Sequence, residues 1–338
     1  MDQQNPVWIV KPAKELFGGV LQANTPLRCF DKPWELPSLR SPKPRPDYVW
    51  DVDKLKWMIA FFLSGNTAAR FIGHTGTGKT ECVAEYHAQL NLPLYCITAN
   101  PKMEAYHLIG RFVPVPGGGV EWRDGPILAA ARYGSCVVIE EYNVLDPGEA
   151  TGLNSFLEGR PFTVPDTGET VVPQPGFRVF ATVNPKSFGY AGRQTQDIAN
   201  DDRFIDLLFG YPEEDVERPM VEAFLKKLRQ PDQEAANLAS LVVKAANTIR
   251  KAFMGENDSA DALPFTMSRR GVMEWAKWTV LSKSLAPSGT DPMFYALDMV
   301  LGNRQDREGR EALRVIVEGA TGRTRGTAGN GAAQPQGI

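Results

Sequence analysis

The sequence predicts an α/β fold, in which a parallel five-stranded sheet carries helices on both faces and a smaller all-helical domain follows it. Between residues 67 and 209, short apolar segments of strand length alternate with segments whose apolar residues recur at helical spacing. This alternation is typical of parallel sheets, whose strands are buried on both faces by the intervening helices. The predicted strands are Ala69–Ile72, Leu94–Thr98, Cys136–Ile139, Val179–Val183 and Phe204–Phe209.

The helices are predicted from the spacing of their apolar residues. The first begins at Asp51, a residue type that caps helix N-termini, and the helix after the first strand spans Glu81–Leu90. After Pro212 no convincing strand remains, and the predicted helices are Glu213–Leu228, Gln233–Phe253, Ser268–Lys283 and Pro292–Leu301.

Composition divides the chain into four predicted parts. Residues 1–50 are rich in proline, which favours either an extended arm or linker, or an arm that covers its own core. Residues 51–212 form the α/β domain, and residues 213–318 form the helical domain. From residue 319 to residue 338 the chain is rich in glycine, alanine and polar residues, which is typical of a disordered tail.

Charge and cysteine usage exclude several broad classes of protein. The formal net charge is −3, so no global basic field attracts nucleic acid. The four cysteines are far apart and form no C-x-x-C motif, which predicts a reduced, cytoplasmic protein without a zinc site. The sequence shows no secretory signal and no run of about 18 apolar residues, so neither secretion nor a membrane span is expected.

The segment from Gly73 to Thr80 matches the phosphate-binding pattern G-x-x-x-x-G-K-[ST] at every position. Glycines allow backbone N–H groups to turn toward phosphate oxygens, and the following helix directs its N-terminus at the same place. Lys79 is expected to contact the β- and γ-phosphates of ATP, and the hydroxyl of Thr80 to hold Mg²⁺. The residues predicted to bind the nucleotide are Gly73, Thr75, Gly76, Thr77, Gly78, Lys79, Thr80 and Glu81.

A nucleotide hydrolase also needs a carboxylate near the metal and a base that orients water. Glu140 and Glu141 directly follow the strand predicted at Cys136–Ile139. Because side chains alternate along a strand, the two carboxylates point in different directions. Glu140 is therefore predicted to serve the metal and Glu141 the water. The alternative is a strand that ends in a solvated acidic turn.

With these motifs in this order, the chain resembles the AAA+ ATPases, a family of P-loop NTPases, and within them the MoxR branch of the CobS and CbbQ/NorQ types. The resemblance covers about residues 48–285. The family usually has Asp at the first acidic position, where this chain has Glu140. The segment 180–185 (FATVNP) matches the family's sensor 1 strand. This resemblance implies that Asn184 contacts the attacking water or the γ-phosphate; the alternative is an ordinary turn after a strand.

Two arginines complete the catalytic set that the resemblance implies. The segment 201–204 (DDRF) is similar to the family's Asp-Arg-Phe segment, which makes Arg203 the arginine finger that reaches the nucleotide of the adjacent subunit. Considered alone, these residues also fit a surface salt bridge between Arg203 and Asp202 or Asp206. Thr266–Ala276 resembles the segment that opens the sensor 2 helix, and it assigns the sensor to Arg270, with Arg269 as the alternative.

Two loops also fit the MoxR branch. Leu108–Pro126, with three consecutive glycines, resembles the family's helix 2 insertion, and Phe162–Val172 is predicted to be a hairpin with an Asp-Thr-Gly turn. In this family such loops can face the centre of the ring and engage substrate. A hairpin that packs on its own sheet is the alternative.

The resemblance implies a hexameric ring that hydrolyses ATP with Mg²⁺ and remodels or activates a protein client. It also implies a partner protein with a von Willebrand A-type domain. One alternative is a cobaltochelatase-type subunit that inserts a metal. Another is a nucleic-acid-linked motor or defence NTPase, against which the absence of a basic face argues. A small-molecule kinase is a third, and the set of Asn184, Arg203 and Arg270 argues against it.

Overall fold

The structure is a computed structural model that describes residues 5–36, 38–46, 48–185, 202–255 and 263–326. The chain divides into two compact units, an N-terminal unit (Met1–Gly210) and a C-terminal unit (Tyr211–Ile338). Among the described residues, no helix combines the length and the apolar character needed to pass through a bilayer.

The N-terminal unit begins with short elements that cover its core. These are β1 (Trp8–Pro12), α1 (Ala13–Leu16), β2 (Pro26–Phe30), β3 (Glu35–Leu36) and β4 (Leu39–Arg40), with β1 and β2 paired antiparallel. Phe17 and Leu27 are buried in the same apolar cluster as Phe71 and Val138 of the main sheet. Of the two arrangements considered for residues 1–50, the structure shows the arm that covers its own core.

The rest of the N-terminal unit alternates helices and strands. In chain order these elements are α2 (Val52–Ser64), β5 (Ala68–Gly73), α3 (Lys79–Gln89), β6 (Leu94–Thr98), α4 (Ala105–Ile109), β7 (Gly110–Pro114), β8 (Val120–Asp124), α5 (Pro126–Tyr133), β9 (Cys136–Glu140), α6 (Pro147–Thr151), α7 (Asn154–Leu157), β10 (Phe162–Thr163), β11 (Thr170–Val171), β12 (Arg178–Val183) and β13 (Ile205–Phe209).

Five of these strands form one parallel sheet in the order β13-β5-β12-β9-β6. Each agrees with a predicted strand to within one residue at either end, so the predicted α/β fold with a parallel five-stranded sheet is confirmed. β7 with β8 and β10 with β11 form separate antiparallel hairpins, the second at the predicted position. The parallel arrangement brings the carboxyl ends of the five strands to the same edge of the sheet.

The sheet is buried on both faces. Val137 and Ile139 of β9 pack in one apolar cluster, whereas Cys136 and Val138 pack in another on the opposite face. Side chains of successive strand residues point to opposite faces, so burial of both faces requires an uninterrupted apolar run. This explains why the sequence of β9 shows no alternation of polar and apolar residues.

Among its described residues, the C-terminal unit contains helices and no strand. Its helices are α8 (Glu214–Lys227), α9 (Asp232–Met254), α10 (Arg269–Ser282), α11 (Pro292–Val300) and α12 (Arg307–Thr321). The first four lie within one residue of the predicted helices, whereas α12 was not predicted. Asp306 caps α12 by accepting a hydrogen bond from the N–H of Gly309 (2.7 Å), and Leu313 and Val317 are its buried residues.

Residues 319–326, the described part of the tail predicted from residue 319, continue a helix and form ion pairs. α12 continues to Thr321, and the Arg325 side chain binds the carboxylates of Glu311 (2.7 Å) and Glu318 (3.0 Å). Arg323 binds Asp291 at 2.8 Å. Intrachain carboxylates therefore hold these arginines, which the composition of the segment does not reveal. Residues 327–338 lie outside the described residues.

A buried ion pair joins α8 to α9 in the C-terminal unit. Glu217 and Arg250 are each 1% exposed, and two hydrogen bonds of 2.6 and 2.9 Å connect the carboxylate and the guanidinium. Arg250 also donates to the carbonyl of Met267 (2.8 Å), and its guanidinium lies 4.4 Å from the ring centroid of Tyr211. The guanidinium of Arg250 therefore has hydrogen-bond acceptors around it, and a buried charge is costly without such partners.

Candidate functional site

The loop between β5 and α3 has backbone conformations that favour glycine. Gly76 and Gly78 have φ angles of 77° and 90°, and α3 begins directly after them. Within the part of the chain that the structure describes, the backbone N–H groups of Gly76, Thr77 and Gly78 donate no hydrogen bond to another residue. They are therefore available to an anion, at a helix N-terminus whose dipole favours negative charge.

Gly73 is required by the neighbouring strand. It lies opposite Phe209 of β13, and a Cβ atom at this position would come within 2.2 Å of the Phe209 carbonyl oxygen. The glycine thus allows two strands to approach closely at the start of the loop. The phosphate-binding pattern predicted the glycine but not this reason for it.

The Lys79 ammonium lies at the base of the loop, in a residue that is only 8% exposed. Its Nζ donates to the carbonyl oxygens of Gly73 (2.6 Å) and His74 (2.9 Å) and to Oδ1 of Asn184 (3.1 Å). These acceptors orient the ammonium at the position where phosphate is expected. Burial, and secondly the charge of Lys79, lower the pKa of the His74 imidazole, which is therefore neutral at neutral pH.

Thr80 and Glu140 are in direct contact. The Thr80 hydroxyl donates to Oε1 of Glu140 at 2.5 Å, while Oε2 of the same carboxylate accepts from the hydroxyl of Thr98 at 2.9 Å. Because its hydrogen is directed to Glu140, the oxygen of Thr80 keeps its lone pairs for a hard cation. The structure thus brings together the two residues predicted to hold the metal.

Glu141 turns away from Glu140 and contacts a different strand. Its φ angle is 56°, a left-handed conformation that is uncommon outside glycine and is often found at functional sites. Its backbone N–H donates to the Thr182 hydroxyl (3.3 Å), and its Oε1 accepts from Nδ2 of Asn184. Asn184, which is 3% exposed, therefore bridges the ammonium of Lys79 and the carboxylate of Glu141.

The other loop residues differ in exposure. Thr77 is buried and its hydroxyl donates to the His74 carbonyl (2.9 Å), which fastens the turn. Thr75 is exposed. The carboxylate of Glu81, in the first turn of α3, pairs with the Arg45 guanidinium at 3.3 Å on the surface.

Arg203 lies just before β13 and binds Glu158 in its own chain. Its Nε donates to Oε1 of Glu158 at 2.7 Å, and Arg160 binds the other oxygen at 2.8 Å. The neighbouring Asp206 accepts two hydrogen bonds from the guanidinium of Arg70. Asp201, the first residue of the segment that suggested this role, lies outside the described residues.

The two sensor candidates begin α10 of the C-terminal unit. Ser268 caps this helix by accepting from the N–H of Gly271 at 3.0 Å. Nη2 of Arg269 contacts the sulfur of Met220 at 3.3 Å, whereas Arg270 is exposed. The exposed guanidinium of Arg270 is thus accessible, and its assignment as the sensor stays a prediction.

The donor set of the loop fits a nucleotide with a divalent cation. Oriented backbone N–H groups and a lysine ammonium match phosphate oxygens. A hydroxyl and a carboxylate are the oxygen ligands that Mg²⁺ prefers. Lys79 and the N–H groups of Gly76–Gly78 would hold the phosphates, and Thr80 with Glu140 would hold Mg²⁺.

Residues 70–204 match the AAA domain family of the dynein-related subfamily. The matched segment contains the phosphate loop, the acidic pair and Asn184, in the order in which the structure brings them together. This part of the chain is thus similar to AAA domains. The predicted resemblance to the AAA ATPases is confirmed.

Curated relatives of this chain include the NorQ and CobS types named above. NorQ of Paracoccus denitrificans is 34% identical over 143 residues, which cover 42% of this chain and 52% of NorQ. The aerobic cobaltochelatase subunit CobS of a Sinorhizobium species is 28% identical over 243 residues, which cover 69% of this chain and 70% of CobS. Midasin of Giardia intestinalis is 34% identical over 139 residues, 40% of this chain but 3% of Midasin. The chain thus spans about half the length of NorQ and a small part of Midasin.

Two contacts of this candidate site were not predicted. Thr98 binds Glu140, and Nδ2 of Asn143 donates to the backbone carbonyl of Asn184 at 3.3 Å. Thr98 ends a predicted strand, and a polar residue at that position in a parallel sheet is a usable signal for a site residue. Asn143 gives no such signal, because it follows the acidic pair in a short turn.

Proposed function

We propose that this AAA ATPase hydrolyses ATP within a homo-oligomeric ring and uses the free energy to remodel or activate a protein partner. The observation that carries the proposal is the bridge formed by Asn184 between Lys79 and Glu141. It couples the residue expected to bind the γ-phosphate to the residue expected to act on the water. Such coupling is needed by an enzyme that hydrolyses a nucleotide rather than merely binding it.

Each residue has a defined role in the proposed reaction. Glu141 accepts the proton of the attacking water, and Asn184 keeps its carboxylate in position. Lys79 stabilises the negative charge that spreads over the phosphoryl oxygens. Thr80 and Glu140 would hold Mg²⁺, which when bound would supply further charge neutralisation of the phosphates.

The ring follows from the proposed role of Arg203. A guanidinium stabilises phosphoryl charge well because its planar fork donates several hydrogen bonds, and an arginine finger contributes roughly 10³- to 10⁵-fold in rate. Arg203 is held by Glu158, and its side chain keeps 24% of its surface exposed. We infer that a neighbouring subunit draws Arg203 to its nucleotide, so that the complete active site lies between subunits of a hexamer.

The partner is inferred from the relatives alone. CobS is named as a subunit of an aerobic cobaltochelatase. By analogy, we propose that this chain works with a second protein that carries a von Willebrand A-type domain, and that ATP turnover changes the conformation of a protein client.

A Glu141→Gln variant tests the proposal. It should bind ATP and hydrolyse it at least about a hundredfold more slowly, the scale of losing a general base. Held in the ATP state, it should retain the partner in a pulldown that is analysed by mass spectrometry. The control is Lys79→Ala, which cannot enter the ATP state and should retain nothing. Equal recovery of proteins by both variants would contradict ATP-dependent remodelling.

Mixing subunits tests the ring. Arg203→Ala and Glu141→Gln each remove a different half of the proposed shared site. Mixed assemblies, verified by affinity tags on both subunits, should regain part of the hydrolysis that each variant lacks. Absence of any recovery would place Arg203 within its own active site or outside the reaction.

A further inference from the structure

Thr98 lies beside the acidic end of β9. β6 is an edge strand of the sheet, and its pairing with β9 places Thr98 opposite Glu140. In parallel strands, paired residues direct their side chains to the same face. The N–H of Ala99 donates to the Glu140 carbonyl at 2.8 Å, so the backbone fixes this arrangement.

Two hydroxyl groups hold the Glu140 carboxylate, one on each oxygen. Thr80 donates to Oε1 at 2.5 Å and Thr98 donates to Oε2 at 2.9 Å. An aspartate at this position would draw the carboxylate back by about one carbon–carbon bond, ~1.5 Å. It could then keep one of the two contacts but not both. The additional methylene of Glu140 therefore makes the contact with Thr98 possible.

The longer side chain also needs a restraint. A glutamate has one more rotatable bond than an aspartate, and fixing it costs conformational entropy. Hydrogen bonds from Thr80 and Thr98 together define the plane of the carboxylate. Without Thr98 the group can rotate away from Thr80.

We propose that Thr98 is a positioning residue of the metal site. Its hydroxyl keeps the Glu140 carboxylate oriented so that the other oxygen receives the hydroxyl of Thr80. Thr98 acts through Glu140 and is not a metal ligand. The inference rests on the proposed role of Thr80 and Glu140 in holding Mg²⁺ for ATP hydrolysis.

Two substitutions of Thr98 isolate the hydroxyl. Thr98→Val removes it while keeping the volume and the branched Cβ that suits a strand, and Thr98→Ser keeps it. Mg²⁺ is titrated into each protein with a fluorescent, non-hydrolysable ATP analogue, and nucleotide binding is measured by fluorescence. Thr98→Val should raise the Mg²⁺ concentration for half-maximal binding about tenfold. This is the low end of the range expected when a hydrogen bond to a charged group is lost, and we expect the low end because Thr98 is exposed. Thr98→Ser should stay within about twofold of the unaltered protein.

A double-mutant cycle with Glu140→Asp tests the geometric reason. Since the shorter side chain cannot hold both contacts, Thr98→Val should change the Mg²⁺ requirement less than about twofold in the Glu140→Asp background. Thermal unfolding of every variant checks that the fold is intact. The proposal is overturned if Thr98→Val matches the unaltered protein, if Thr98→Ser is equally impaired, or if the effect of Thr98→Val is the same in both backgrounds.

The readout also separates this inference from the proposed function. If the unaltered protein binds the nucleotide with Mg²⁺ but does not hydrolyse ATP, the proposed function is wrong, and the binding titration still decides the role of Thr98. If hydrolysis occurs and the cycle shows no coupling, the proposed function stands and the role of Thr98 is refuted.

Discussion

Replacing Asn184 by alanine is the sharpest test of the arrangement at the active site. Asn184 is 3% exposed, and its carboxamide makes two contacts with charged side chains. It accepts from Nζ of Lys79 at 3.1 Å and donates to Oε1 of Glu141. Asn184→Ala deletes both contacts and leaves the backbone of β12 in place.

The two lost contacts should have unequal consequences. Lys79 keeps the carbonyls of Gly73 and His74 as acceptors, so its position changes little. Glu141 loses the hydrogen bond from Asn184, and a hydrogen bond to a charged group contributes about 1.5–3 kcal/mol. If this free energy is lost from the transition state, the rate of hydrolysis falls roughly 10- to 150-fold. We therefore expect turnover to fall about a hundredfold, and nucleotide affinity to fall less than about tenfold.

Steady-state ATPase measurements and titration with a fluorescent ATP analogue measure these two effects separately. Asn143→Ala is the matched control, because Asn143 is a buried carboxamide that contacts the backbone carbonyl of Asn184 at 3.3 Å. It should reduce turnover much less than Asn184→Ala. Turnover of Asn184→Ala within twofold of the unaltered protein, or equal losses in both variants, would refute the orienting role of Asn184.

Three further perturbations address other parts of the chain. Lys79→Ala should abolish binding of the fluorescent ATP analogue, since backbone N–H groups alone offset little of the phosphate charge; near-native affinity would contradict the assignment of the loop. Glu217→Ala should lower the free energy of unfolding by about 3–5 kcal/mol in urea denaturation, because it leaves Arg250 buried without its carboxylate; a change under about 1 kcal/mol would disprove the importance of this pair. Replacing Pro116–Gly119 at the tip of the β7–β8 hairpin by a short Ser-Gly link should preserve basal ATPase activity and assembly but reduce capture of the partner. Undiminished capture would show that this hairpin does not contact the partner.

Local patterns in the sequence were sufficient for the sheet and the phosphate loop. Consecutive β-branched residues predict the strand at Cys136–Glu140. The fixed spacing of the glycines before Lys79 predicts the phosphate loop. Both signals arise within a few residues, where burial and backbone conformation restrict the choice of amino acid strongly. α12 was not predicted, although the sequence contains its cap at Asp306 and its buried residues Leu313 and Val317 at helical spacing.

The sequence by itself determined the α/β fold, the AAA phosphate loop and the acidic pair, because each depends on residues adjacent in the chain. Only the tertiary structure decided which side chains meet. Asn184 contacts Lys79 across 105 positions, Thr98 contacts Glu140 across 42, and Arg203 contacts Glu158 across 45. These contacts depend on the order of strands in the sheet and on their register, since side chains that share a face and an edge come together whatever their separation in the chain. Neither the order nor the register is encoded in any short segment, which is why the partner of Arg203 and the role of Thr98 emerged only from the folded chain.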